Sequence, residues 1–96
     1  MTHTRMDICE TLTDDNVNKL VTKMQDHVRN VSELIGHSIL AEEGGRMVIL
    51  VTEWSSREDC LQYHASKANR RFIAETQDLL VGSYVVKLFQ NKTERQ

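Results

Sequence analysis

Ninety-six residues set the scale of one domain, and 40% hydrophobic with 27% charged residues is the balance of an ordinary globular protein. A net charge of −2 with no basic stripe argues against nucleic acid as a partner. No apolar run approaches the ~20 residues of a membrane helix, and the opening MTHTRMD lacks a secretory apolar stretch. With Cys9 and Cys60 far apart and no C-x-x-C, the expectation is a cytoplasmic protein with reduced thiols.

In chain order, Arg5 to Leu12 alternates. Met6, Ile8, Glu10 and Leu12 lie on one side, read as the apolar side, and Asp7, Cys9 and Thr11 on the other, which predicts a strand. Thr13 followed by Asp14-Asp15 marks a helix start, because a hydroxyl caps free N–H groups and early carboxylates suit the dipole. Val17, Leu20, Val21, Met24, Val28 and Val31 then form one apolar stripe. Leu34 to Glu42 reads as a second strand and Arg46 to Trp54 as its return, joined through Gly44-Gly45. The run Met47 to Val51 does not alternate, so both of its faces should be covered.

Ser55-x-x-Glu58 is a capping box that opens a second helix, with Leu61, His64, Ala65 and Ala68 on the face read as inward. Asn69 marks a kink or break in it, and Phe72, Ile73, Thr76, Leu79 and Leu80 carry the apolar face onward. A last strand, Tyr84 to Phe89, is apolar on both sides. The order β-α-β-β-α-β predicts an α+β, ferredoxin-like domain with a four-stranded antiparallel sheet. It takes in residues 1–96, with a core from 5 to 90 and a polar tail from 91 to 96. Helices cover one face of such a sheet, and the apolar second face predicts a homodimer with two-fold symmetry.

The segment LVTEWSS, then CLQYHAS on the helix and Phe72 beyond, resembles the antibiotic biosynthesis monooxygenase family, whose members form dimeric α/β barrels. ELIGHSIL resembles the family's lead into its second strand, with Ser32-Glu33 in place of the usual Pro-Gly. The resemblance covers roughly residues 5–90. Where the family helix often carries Ala-His, Tyr63 stands at the histidine position and His64 follows it.

The resemblance implies a cofactor-independent monooxygenase that oxidises a small aromatic or quinol-type substrate with O2. The haem-degrading branch of the fold needs an asparagine and a histidine where Ile8 and Phe72 or Ile73 stand, so haem degradation is disfavoured. The expected catalytic residues are His64 for proton removal and Trp54, with Tyr63, for donation to an oxyanion. Ile8, Leu50 and Phe72 are the expected substrate-binding wall.

Each also has a plainer reading. Trp54 is core, His64 is an imidazole bonded to Glu10, Thr52 or Tyr63, and Tyr63 is a packing residue. The four histidines show no i,i+4 pair and no H-x-E spacing, so no metal is expected, and without a G-x-G-x-x-G or P-loop motif no nucleotide cofactor is expected. The alternative from another class is a non-catalytic dimeric module that binds a small apolar or aromatic ligand.

Overall fold

Strand β1 (His3–Glu10) runs through the middle of the sheet, hydrogen-bonded to β3 (Met47–Trp54) on one side and to β4 (Val85–Gln90) on the other. Strand β2 (Leu34–Ala41) closes the far edge, giving the order β2-β3-β1-β4 with every pairing antiparallel. Helices α1 (Asp14–Arg29), α2 (Arg57–His64) and α3 (Lys67–Thr76) complete the fold, with a 3-10 turn, Gln77–Leu79, before β4. This computed structural model describes residues 2–93, so the end of the polar tail lies outside the described residues. Within them no helix is long and apolar enough to cross a membrane.

The local signals for the elements act as their chemistry requires. Thr13 caps α1 as expected, its hydroxyl accepting the Asn16 N–H at 3.3 Å. Helix α2 is capped by Ser56, one residue beyond the expected Ser55-x-x-Glu58 box. The Ser56 hydroxyl accepts the Asp59 N–H at 3.1 Å, while Ser55 donates to the Asp59 carboxylate. Gly44 turns the β2–β3 hairpin with a φ of +71°, a conformation that costs little only without a Cβ.

The expected single second helix is two. It breaks at Ala65-Ser66, not at Asn69, because Ser66 serves both pieces. Its hydroxyl donates to the Tyr63 carbonyl at 2.7 Å, ending α2, and accepts the Asn69 N–H at 3.1 Å, starting α3. The Asn69 amide then clamps the break by donating to the His64 carbonyl at 3.0 Å.

Two orientations differ from the sequence reading. The alternation of β1 holds, but Arg5, Asp7 and Cys9 are the buried residues of that strand, while Met6 and Ile8 are half-buried on the opposite face. Apolarity was a misleading guide there, since the polar side chains find partners under the helices and the apolar ones lie on the open side. On α2 the buried residues are Cys60 and Tyr63, whereas Leu61, His64 and Ala65 are exposed, as is Ala68 at the start of α3.

The main core gathers Leu20, Met24 and Val28 of α1 against Val48 and Leu50 of β3, with Phe72 and Leu80. Trp54, Cys60 and Tyr63 form a second, separate cluster at the end of β3. The sheet's other face carries Leu40, Met47, Val85 and Phe89, all more than two-fifths exposed in the single chain.

Candidate active site

The side-chain alternation of β1 puts two opposite charges under the helices. Arg5 is fully buried and Asp7 nearly so. Arg5 Nε donates to Asp7 Oδ2 at 3.0 Å and Nη2 donates to Oδ1 at 2.9 Å, a two-pronged contact that fixes the guanidinium plane. Burial works against the Arg5 cation, but the bonded carboxylate outweighs it and holds the group charged above its ordinary range. The guanidinium lies over the Tyr63 ring, 5.1 Å from its centroid, so cation and ring face add a further attraction.

The third arm of the arginine sets the state of His64. Arg5 Nη1 lies 2.9 Å from His64 Nδ1. Guanidinium only donates, so Nδ1 is the acceptor and the ring hydrogen sits on Nε2. In that tautomer His64 has no lone pair left for a substrate proton. Trp54 is engaged in the same way, its indole N–H donating to Thr52 Oγ1 at 3.0 Å inside the fold.

Tyr63 points toward α1. Its hydroxyl is 2.6 Å from Nε2 of His27, and the His27 ring stacks on Phe72 at 4.2 Å and 14°. Burial raises the Tyr63 phenol well above its ordinary value and lowers the His27 imidazole below its own. A neutral imidazole accepting from a neutral phenol is the pairing those two shifts favour. His27 also borders a polar groove of about 390 Å³ between α1 and α3, with Asp26, Arg71 and Glu75 among its walls. Tyr63 and His27 thus connect the interior to that groove.

A second cavity, about 340 Å³, lies at the start of α2 beside the β1–β4 edge. Its walls are His3, Arg57, Cys60, Leu88, Phe89 and Gln90, and Cys60 also packs against Trp54 and Tyr63. The volume falls within the roughly 300–1,000 Å³ of small-molecule sites.

No protein-family model matches the sequence, and no curated protein does. Solved structures do match. The monooxygenase from ActVA-Orf6 of Streptomyces coelicolor, in complex with nanaomycin D, is similar at a TM-score of 0.80 and 15% identity, over 98% of this chain and 90% of that one. SnoaB from Streptomyces nogalater, a cofactor-independent oxygenase in a mutant form, gives 0.77 and 9% over 97% and 95%. A candidate antibiotic biosynthesis monooxygenase from Chloroflexus aurantiacus gives 0.77 and 8% over 100% and 98%. The chain has the antibiotic biosynthesis monooxygenase fold.

Within that fold the six residues expected from sequence do not form one site. Trp54 and Tyr63 come together, ring centroids 5.0 Å apart at 34°. Leu50 and Phe72 belong to the main apolar core, and Ile8 sits on the opposite sheet face, so the three make no common wall. His64 is exposed on the rim, with its ring bonded to the buried Arg5.

Sequence reasoning missed Arg5, Asp7 and His27. Their signals were present. Arg5-x-Asp7 places opposite charges side by side on one strand face, and His27 stands seven residues after Leu20 on the buried stripe of α1.

Proposed function

We propose that the chain is a cofactor-independent monooxygenase that oxidises a small quinol or polycyclic phenol with O2, working as a homodimer. What carries the reading is the buried Arg5–Asp7–Tyr63–His27 network, linked through Cys60 to a cavity of substrate size, in a fold shared with a cofactor-independent oxygenase.

Such chemistry asks little of a protein. For an anthrone-type substrate, loss of one proton gives an enolate that hands one electron to O2. The resulting radical and superoxide combine through a new carbon–oxygen bond. The peroxide takes the proton back and loses water, leaving a carbonyl, so one oxygen atom enters the product and the other leaves as water. The site must move one proton, stabilise an oxyanion and exclude bulk water.

We assign the proton to the Tyr63–His27 pair. The phenol oxygen takes it from the substrate while its own hydrogen passes to His27 Nε2. The fixed cation of Arg5 stabilises the negative charge. His64 and Trp54 become positioning residues, one steadying Arg5 and the other shaping the space around Tyr63. The apolar open face supports the dimer, since Leu40, Met47, Val85 and Phe89 would be covered by a second copy.

A second reading, a non-catalytic ligand-binding dimer, is favoured by one observation. The Trp54 N–H and His64 Nδ1 are already taken up within the protein. Oxygen uptake separates the two. Chelator-treated protein mixed with an anthrone in air should consume one O2 per anthraquinone formed, and Tyr63→Phe should slow this at least ~10-fold, in line with a positioned proton-transfer group. Binding of the anthrone with uptake no faster than in buffer would leave the module reading.

A further inference from the structure

The side chains best equipped for chemistry are shut in. Arg5 and Trp54 are fully buried and Tyr63 nearly so. None of the three lines either of the two cavities, and the one of about 340 Å³ ends at Cys60, which is itself only 1% exposed. A small molecule therefore meets them only after part of their cover has moved. Strands β1 and β3 are the two central strands of the sheet, and α1 is anchored in the main core by Leu20, Met24 and Val28. Helix α3 is anchored there by Phe72, and its Thr76 hydroxyl lies 2.8 Å from that of Tyr84.

Helix α2 is held differently. It spans eight residues, too few to hold together unaided, and contributes none to the main core. Its buried side chains are Cys60 and Tyr63, while Leu61, Gln62 and His64 are exposed. Apart from the Tyr63 ring packed on Trp54, what ties it down is polar. His64 Nδ1 accepts from Arg5 at 2.9 Å, the Tyr63 hydroxyl lies 2.6 Å from His27 Nε2, and the His64 carbonyl accepts from Asn69 at 3.0 Å. Water replaces such partners on opening, as it does not replace apolar packing. Each helix also has its own cap, Ser56 on α2 and Ser66 on α3, so α2 moves without unwinding α3.

We propose that α2 is a gate over Arg5, Trp54 and Tyr63, hinged at Ser55-Ser56 and Ala65-Ser66 and latched by the His64–Arg5 contact. Closed, the latch pairs the third arm of a buried guanidinium. Open, it releases both partners to solvent. That the opening serves turnover rests on the oxygenase reading, whereas the opening itself does not.

The test is alkylation of the native chain with iodoacetamide, the two cysteines being followed separately by peptide mass spectrometry. Cys9 is the internal control, buried in the main core with its thiol donating to the Val48 carbonyl at 3.4 Å. Below the urea unfolding transition Cys60 should react at least ~10-fold faster than Cys9, as expected of a local opening that is easier than global unfolding. His64→Leu leaves an Arg5 N–H unpaired in the closed form only. It should speed Cys60 a further ~10-fold with Cys9 unchanged, the effect of one hydrogen bond to a charged group. His64→Asn, whose amide oxygen takes the place of Nδ1, should return the rate toward the native one. Equal rates at the two cysteines, or equal acceleration of both by His64→Leu, would overturn the gate. So would a fast rate at Cys60 that His64→Leu leaves unaltered, since the reagent then arrives through the cavity.

Oxygen uptake with an anthrone then separates this proposal from the oxygenase reading. Opening at Cys60 without uptake keeps the gate and discards the oxygenase. Uptake with equal rates at the two cysteines keeps the oxygenase and discards the gate.

Discussion

The layer between helices and sheet has two ends made of different materials. At one, Leu20, Met24 and Val28 close over Val48 and Leu50, and apolar packing dominates. At the other, Trp54, Cys60 and Tyr63 surround a buried ion pair, and nearly every contact is directional. The apolar end can be held together by burial alone. The polar end is held by its ion pair and its hydrogen bonds, which makes it costly to disturb and suited to placing charge. Stability and chemistry are thus separated along the same two strands.

The comparison is broken most severely at Asp7. Asp7→Leu leaves the fully buried Arg5 cation without its carboxylate, and urea unfolding should show a loss of about 3–5 kcal/mol. The double variant Arg5→Met with Asp7→Leu should regain most of that, because it turns the polar end into a second apolar one. Equal stability of the single and double variants would show that the pair is not held as described. Oxygen uptake should be lost in both.

At the apolar end, Leu20→Ala should cost a comparable or smaller amount, about 2–5 kcal/mol. Uptake per folded molecule should stay unchanged, since Leu20 touches none of the proton-moving groups. A smaller effect comes from Thr52→Val, which removes the acceptor of the Trp54 N–H and should cost about 1–3 kcal/mol with an altered near-ultraviolet tryptophan signal. An unchanged urea midpoint would mean that the indole finds another acceptor.

The smallest effect is a slope with pH. Burial holds the His27 imidazole below its unfolded value of ~6.5, so the unfolded chain takes up the proton first as pH falls. Its contribution to stability is therefore present in full above ~6.5 and declines below that until the folded ring also titrates. Urea midpoints from pH 8 to pH 5 should fall in the native chain and less steeply in His27→Gln. A slope unaltered by that substitution would remove His27 from the buried network.

Much of this architecture was legible in the sequence, and the parts that were not share one cause. The strand periods, the cap at Thr13, the start of α2 to within one residue and the glycine hairpin turn are local, set by residues within a few positions of one another. Which face of a strand goes under the helices is not local. In β1 the apolar side, Met6 and Ile8, is the open one, and only knowing that Arg5 meets Asp7, His64 and Tyr63 explains the reversal. The same holds for α2, where a leucine, a histidine and an alanine look more buriable than Cys60 and Tyr63. Its buried face follows from what lies beneath it, a guanidinium and an indole. His64 was singled out for its chemistry, and the structure shows that chemistry already committed to Arg5.

The contrast between the two ends is tested most directly by chemical-shift mapping of an anaerobic complex with an anthrone bearing an acidic phenol. The account predicts the largest perturbations at the Trp54 indole N–H, Cys60, Tyr63 and Leu88, with Leu20, Met24 and Val48 silent. Shifts centred on Leu20 and Met24, or on Leu40 and Val85 of the open sheet face, would contradict it.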